Sequence, residues 1–308
     1  MTLPPLPMRD PGGHKGTFGT VSVIGGCATS DQIMAGAPAL AALGAFRSGC
    51  GLVRLLVPEP VAQIALAISP SATCVVLATS SGGMIIPSDA CGAIDGAAST
   101  SQCLVIGPGM GSDPAIATLT LRALQQQSAP VVVDADAINA LATIPDLHLD
   151  LRASAVLTPH PGEFRRLASV LRITHDPTEE SSRASAAAEM AQKLGVIVVL
   201  KGRGTVVSNG LETWTCPHGH PALATAGSGD VLAGIIAGII AQHVGRASTP
   251  RRAGPALTLL DAVRIAVFAH ACAGERWAAA HRASGGMLAT DLANEIPAIL
   301  GELEAQAP

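Results

Sequence analysis

The chain has 308 residues, of which 48% are hydrophobic, 14% charged and only 2% aromatic, and its formal net charge is −4. That length suits one large α/β domain or two ordinary ones, and the apolar share is enough for a sizeable core. The absence of a basic stripe argues against a nucleic-acid partner, and the absence of tyrosine argues against an aromatic cage for any bound base or ring.

Residues 1–20 are rich in Pro and Gly and read as an extended segment draped over the domain. Short β-branched runs then alternate with Ala-rich stretches of helical length. Strands are expected at 21–24, 52–57, 73–78, 103–106, 131–134, 155–157 and 196–200, and a helix at 36–48 with Pro38 in its first turn. Continuous apolar strands separated by helices argue for a mainly parallel central sheet flanked by helices on both faces. The stretch Asp176-Pro177-Thr178-Glu179 has the form of a helix start, with a cap, a proline and an acidic third position. An antiparallel pair is expected at 205–208 and 212–215 around Asn209-Gly210, followed by helices at about 228–243, 258–281 and 288–300. The linker GRASTPRRAGP at 245–255 reads as an exposed loop. No internal repeat is present, and one domain is expected over 1–308.

The apolar run VLAGIIAGIIA at 231–241 is shorter than the roughly 20 residues that span a bilayer, so it reads as a buried helix. The N-terminus lacks a signal pattern, and a cytoplasmic location is the default expectation. The seven cysteines are scattered and form neither a CxxC pair nor a His/Cys ligand cluster in sequence, so they read as small buried apolar residues in a reducing compartment.

Five motifs carry chemistry. Ala226-Gly227-Ser228-Gly229-Asp230 opens the apolar helix. Small residues there let the backbone approach a ligand, and the unpaired amides of the first turn suit a phosphoryl oxyanion. The Asp230 carboxylate is a candidate general base, the alternative being a Gly-rich turn with Asp capping the helix. Lys201-Gly202-Arg203-Gly204-Thr205 follows a strand with a cation, two glycines and a hydroxyl, which together suit a polyphosphate, although the P-loop spacing is absent. The alternative is a basic hairpin turn. Gly107-Pro108-Gly109-Met110-Gly111 is a candidate for close backbone contact with a diphosphate or ribose, or simply a tight strand-to-helix turn. In Asp134-Ala135-Asp136-Ala137-Ile138-Asn139, acidic groups at a strand end can hold water or Mg²⁺ near phosphates, with Asp136 expected to cap its helix. Thr158-Pro159-His160-Pro161-Gly162-Glu163 places His160 and Glu163 at another strand end. All five fall at carboxyl ends of strands or at helix starts, the edge where open α/β sheets bind ligands.

The ordered set HKGTFGTVSVIGG, GAPALAALGAFRSGCGLV, IGPGMG, VVDADAINAL, LTPHPGEF, LKGRGTVV and AGSGDVLAG resembles the NAD(P)H-hydrate dehydratases, a branch of the ribokinase-like superfamily, over about residues 14–300. The resemblance implies dehydration of the S-epimer of hydrated NADH or NADPH with ADP or ATP and Mg²⁺. The 6-hydroxyl would be phosphorylated and phosphate then eliminated. It implies Asp230 as the base and Gly227, Ser228 and Gly229 as the anion hole. Lys201, Gly202, Arg203, Gly204, Thr205 and Gly229 would hold the adenine nucleotide. Ala37, Gly109, Gly111 and His160, with Asp230, would line the hydrated dinucleotide. Asp134, Asn139 and Glu163 would stand behind these as partners of a hydrated Mg²⁺. The family pattern often has Ala where Ser228 stands, a change that an anion hole of backbone amides tolerates. A homotetramer is implied, as is a functional pairing with a separate epimerase, whose domain would take roughly 200 further residues. Two other readings stay open: a ribokinase-like kinase of a vitamin-precursor alcohol, and a non-catalytic nucleotide-binding protein.

Overall fold

The computed structural model describes residues 3–244 and 257–305, so the linker expected at 245–255 lies outside the described residues. In chain order the elements are β1 (Thr20–Ile24), β2 (Cys27–Ala28), β3 (Ile33–Met34), α1 (Gly36–Arg47), β4 (Leu52–Pro58), α2 (Glu59–Ile68), β5 (Thr73–Leu77), α3 (Pro87–Thr100), β6 (Cys103–Ile106), α4 (Ala115–Gln125), β7 (Val131–Val133), α5 (Asp136–Leu141), β8 (Ala155–Leu157), α6 (Pro161–Leu171), α7 (Arg183–Leu194), β9 (Ile197–Leu200), β10 (Val206–Ser208), β11 (Thr213–Thr215), α8 (Ser228–His243), α9 (Leu259–His281) and α10 (Ala289–Ala305). One sheet has nine strands in the order β11-β10-β9-β8-β7-β6-β1-β4-β5. The strands β5, β4, β1, β6, β7, β8 and β9 run parallel, with β10 and β11 antiparallel at one edge. The expected mainly parallel α/β architecture is therefore observed.

The period-2 geometry of a strand sends alternate side chains to opposite faces. Val21, Val23, Val105, Val132 and Val156 enter one apolar core with α1, α8, α9 and α10. Ile24, Leu104, Ile106, Val131, Val133 and Leu157 enter a second core with α3 to α7. Both faces are covered, which is why these strands read as continuous apolar runs.

Helix α8 is apolar all round because it is buried against α1. Added side chains at Gly234 would strike the Ala41 carbonyl, and at Gly44 the Val231 carbonyl. The glycines thus permit two backbones to cross in contact. No described helix is long and apolar enough to cross a membrane. Leu6 is buried, Arg9 lies 3.7 Å over the Phe18 ring, and its guanidinium donates to the Gly49 carbonyl at 2.7 Å.

One expected helix start is wrong. Residues 176–182 form turns, and α7 begins only at Arg183. The Asp176 carboxylate accepts from both the backbone N–H and the hydroxyl of Thr178, and the Ser182 hydroxyl donates to the Asp176 carbonyl. These local bonds compete with the helix ladder. The Arg183 guanidinium, in the first turn of α7, donates to the Pro177, Leu200, Lys201 and Gly204 carbonyls.

Candidate active site

Parallel strands end on one edge, and here β1, β6, β7, β8 and β9 deliver Gly25, Gly107, Asp134, Thr158 and Lys201 to it side by side. The N-terminus of α8 arrives at the same edge.

At its centre Lys201 Nζ lies 2.8 Å from Asp134 Oδ1 and 3.8 Å from Glu163 Oε2. The Thr158 hydroxyl donates to the same Asp134 oxygen at 2.6 Å. A side chain built on Gly229 would come 3.3 Å from Lys201 Nζ, so the ammonium sits against the first turn of α8. Burial pulls the Lys201 pKa down, but the Asp134 and Glu163 carboxylates more than offset it and hold it above its usual value. Burial pushes the Glu163 carboxyl up, against the pull of Lys201.

Asp230 stands in the first turn of α8, after Gly227, whose φ of 84° makes the left-handed turn into the helix. Burial and the nearby Asp134 push its carboxyl up to about 7, with Lys201 opposing. The amides of the first turn have no carbonyl one turn back within the helix, although the Ser228 amide donates to the Thr225 carbonyl at 3.3 Å. Ser228 is buried, and its hydroxyl lies 3.0 Å from His270 Nε2 on α9. Burial lowers His270 to about 4, so the ring is neutral. This side-chain contact distinguishes Ser228 from the Ala the family pattern often carries.

The Lys201–Thr205 loop is shaped by Gly202 and Gly204, with φ of 129° and 61°. Arg183, which had no local sequence signal, braces the loop from behind through the carbonyls of Lys201 and Gly204. Arg203 is exposed, whereas the Lys201 side chain turns inward to Asp134, so the loop's cation belongs to the carboxylate network.

A side chain added at Gly109 would meet Ala37 and Met34, and one at Gly111 would meet Cys27. Ala37 on α1 and the Gly107–Gly111 loop therefore face one another. Asp136, expected to cap its own helix, is instead the first residue of α5, with Ala135 at the cap position; its carboxylate accepts from the Gly111 amide at 2.8 Å and clamps that loop. Between Asp134 and Asp136, Ala135 takes φ 50° and ψ −119°, a costly conformation for a residue with a Cβ. That kink separates the two acids, one towards Lys201 and the other towards Gly111.

His160 caps α6. Its Nδ1 accepts from the Gly162 and Glu163 amides, and the Glu163 carboxylate accepts from the His160 amide at 2.8 Å in return. Burial, with Lys201 and Arg166, lowers the His160 pKa, which keeps Nδ1 free to accept. Asn139 lies at the margin, where its carbonyl accepts from Arg166 at 3.0 Å. The site thus gathers Lys201, Asp134, Glu163, Gly229 and Asp230. Ala37, Gly109 and Gly111 form an adjoining wall, and His160 stands at the rim through Glu163.

Comparison with known proteins identifies the family. The model of the NAD(P)H-hydrate dehydratase family matches residues 21–298. The ADP-dependent (S)-NAD(P)H-hydrate dehydratase of Xanthomonas campestris is 35% identical over 298 residues, covering 96% of this chain and 93% of its own length. The bifunctional NAD(P)H-hydrate repair enzyme of Salinibacter ruber is 38% identical over 299 residues, and the chain spans about half (51%) of that relative's length. Among solved structures, the ADP/ATP-dependent NAD(P)H-hydrate dehydratase from Bacillus subtilis, co-crystallized with ATP/Mg²⁺, superposes with a TM-score of 0.75 at 30% identity, covering 97% of this chain and 95% of that one. A ribokinase-like superfamily protein from Enterococcus faecalis has the same fold, with a TM-score of 0.73 at 23% identity. With its family model matched from β1 into α10, this chain belongs to the NAD(P)H-hydrate dehydratase family.

Proposed function

We propose that the chain, as a single domain, dehydrates the S-epimer of hydrated NADH or NADPH at the expense of ADP or ATP. The observation that carries this reading is the meeting of Asp230, pushed up to about 7, with the Lys201–Asp134 pair at the start of α8. A base near neutrality accepts a proton from a hydroxyl and still exists in its charged form at working pH. As the 6-hydroxyl oxygen attacks the terminal phosphorus of the nucleotide, Asp230 takes its proton. The amides at Gly227, Ser228 and Gly229 and the Lys201 ammonium stabilise the charge on the transferring group. The P–O bond to the nucleotide breaks, releasing AMP from ADP or ADP from ATP; phosphate then departs from the ring carbon as the neighbouring carbon gives up its proton to water, and the double bond of the reduced nicotinamide is restored.

In this reading Lys201, Gly202, Arg203, Gly204 and Thr205 bind the nucleotide, and Ala37, Gly109, Gly111 and His160 line the dinucleotide. Asp134, Glu163 and Asp230 set three carboxylates against one ammonium, a surplus that fits a hydrated Mg²⁺ arriving with the nucleotide. That ion, held through water by Asp134 and Glu163 with Asn139 further out, would neutralise phosphate charge. A homotetramer and a functional pairing with an epimerase belong to the same proposal.

The test is incubation with hydrated NADH, Mg²⁺ and either ADP or ATP. Reduced-nicotinamide absorbance should return, with inorganic phosphate released one for one. Equal rates without nucleotide would refute the phosphorylation step. Accumulation of a stable phosphate ester would identify a kinase instead.

A further inference from the structure

A second group of chemically capable side chains lies where the segment 216–220, leaving β11, rests on α9. His218 brings a ring nitrogen, Cys272 its thiol and Glu275 a carboxylate oxygen within 4.8 Å of one another. The scattered cysteines showed no ligand cluster in sequence; folding brings Cys272 into one. Cys272 and Glu275 are three apart on α9 and so project from one face. His218 Nδ1 lies 2.9 Å from Glu275 Oε2, and the Gly219 amide donates to Oε1 at 2.8 Å. Phe268 fixes the ring edge-to-face at a centroid distance of 4.9 Å. The His218 and Glu275 side chains are 37% and 39% exposed, which leaves an entry path.

The geometry points to a binding site for a borderline-soft divalent cation, Zn²⁺ in its simplest form, built from His218, Cys272 and Glu275. Nitrogen, sulfur and a single carboxylate are the donor set of such an ion, whereas Mg²⁺ and Ca²⁺ take oxygen. Tetrahedral Zn²⁺ holds its ligand atoms about 3.3–3.8 Å apart, given metal–ligand lengths of about 2.0–2.3 Å. The three donors, already within 4.8 Å of one another, reach that spacing by side-chain adjustment on both sides, the His218–Glu275 pair opening from 2.9 Å and any wider pair closing, while Gly219 keeps Oε1 in place. A fourth position stays open to water. On binding, the ion replaces the Cys272 thiol proton, which goes to solvent. Bound there, it clips the 216–220 segment to the helix that also carries His270 against Ser228.

The experiment uses untagged, chelator-treated protein titrated with Zn²⁺ by calorimetry and with Co²⁺ by absorption. One ion per chain is expected, with a thiolate-to-cobalt charge-transfer band and a Zn²⁺-dependent rise in Tm. Cys272→Ser should abolish the band, Glu275→Gln should weaken affinity at least about tenfold, and Cys27→Ser should change neither. Circular dichroism of the metal-free variants controls for folding. Absence of the band in the wild type, or Zn²⁺ affinity undiminished in both Cys272→Ser and Glu275→Gln, would overturn the proposal; in that case His218 and Glu275 form a plain ion pair.

Discussion

Lys201 Nζ and Asp134 Oδ1, 2.8 Å apart, tie the end of β9 to the end of β7 across the intervening β8. Both side chains are largely withdrawn from water, at 18% and 2% exposure. Such a pair adds little net stability over an apolar pair, but breaking it from one side is costly. Lys201→Met is therefore expected to destabilise the fold by about 3–5 kcal/mol at neutral pH, because it leaves Asp134 buried without its cation. It should also weaken nucleotide binding at Gly229. Urea unfolding and calorimetry read the two effects separately, and a variant as stable as the wild type contradicts the first.

Asp230 has opposite effects on activity and stability. Its carboxyl sits at about 7, above its ordinary 3.8, because of burial and then Asp134. As a base it must be ionised, so kcat/KM should fall about tenfold per pH unit below that value. Asp230→Asn should lose about 10²–10⁴-fold in kcat and lose the acid limb with it. For stability, the folded state retains a proton that the unfolded chain releases. This group therefore costs stability progressively as pH rises from about 4 to about 7. Asp230→Asn should be more thermally stable than the wild type at pH 8, with the advantage vanishing near pH 4. A variant retaining more than about a tenth of wild-type kcat removes Asp230 from the chemistry.

Asp136 holds the loop that faces Ala37 through the Gly111 amide. A hydrogen bond to a charged group contributes about 1.5–3 kcal/mol. Asp136→Ala should accordingly raise KM for the hydrated dinucleotide about ten- to a hundredfold, with nucleotide KM and kcat much less affected. Equal changes in both KM values would mean that the residue supports the whole edge.

His160 combines a helix cap with a position at the site's rim. Asn caps helices well and Ala does not, so His160→Ala should lose about 0.5–2 kcal/mol of stability and His160→Asn little. If the ring also touches substrate, both variants should raise KM for the dinucleotide. An Asn variant with wild-type KM confines His160 to capping.

The order of strands and helices was legible in the chain because most buried strands are short apolar runs and several helix starts and turns carry local Gly, Pro or Asp signals. The Gly227–Asp230 and Lys201–Thr205 motifs were legible for the same reason. What they do to each other was not. Nothing in the sequence aims Lys201 at Asp134, since the two are 67 residues apart and meet only because β7, β8 and β9 lie side by side. Asp136 read as a helix cap because its neighbours suggest one, yet the kink at Ala135 turns it to Gly111. The start of α7 was misplaced because the local signal at Asp176 is a real turn, while Arg183 answers to distant carbonyls. Cys272, Glu275 and His218 gave no motif, since a helical i,i+3 pair and a loop residue 57 positions before Glu275 meet only in the folded chain. Local propensities act over a few residues and are written into the sequence, whereas charge pairing in a buried site depends on which strand ends the sheet sets side by side.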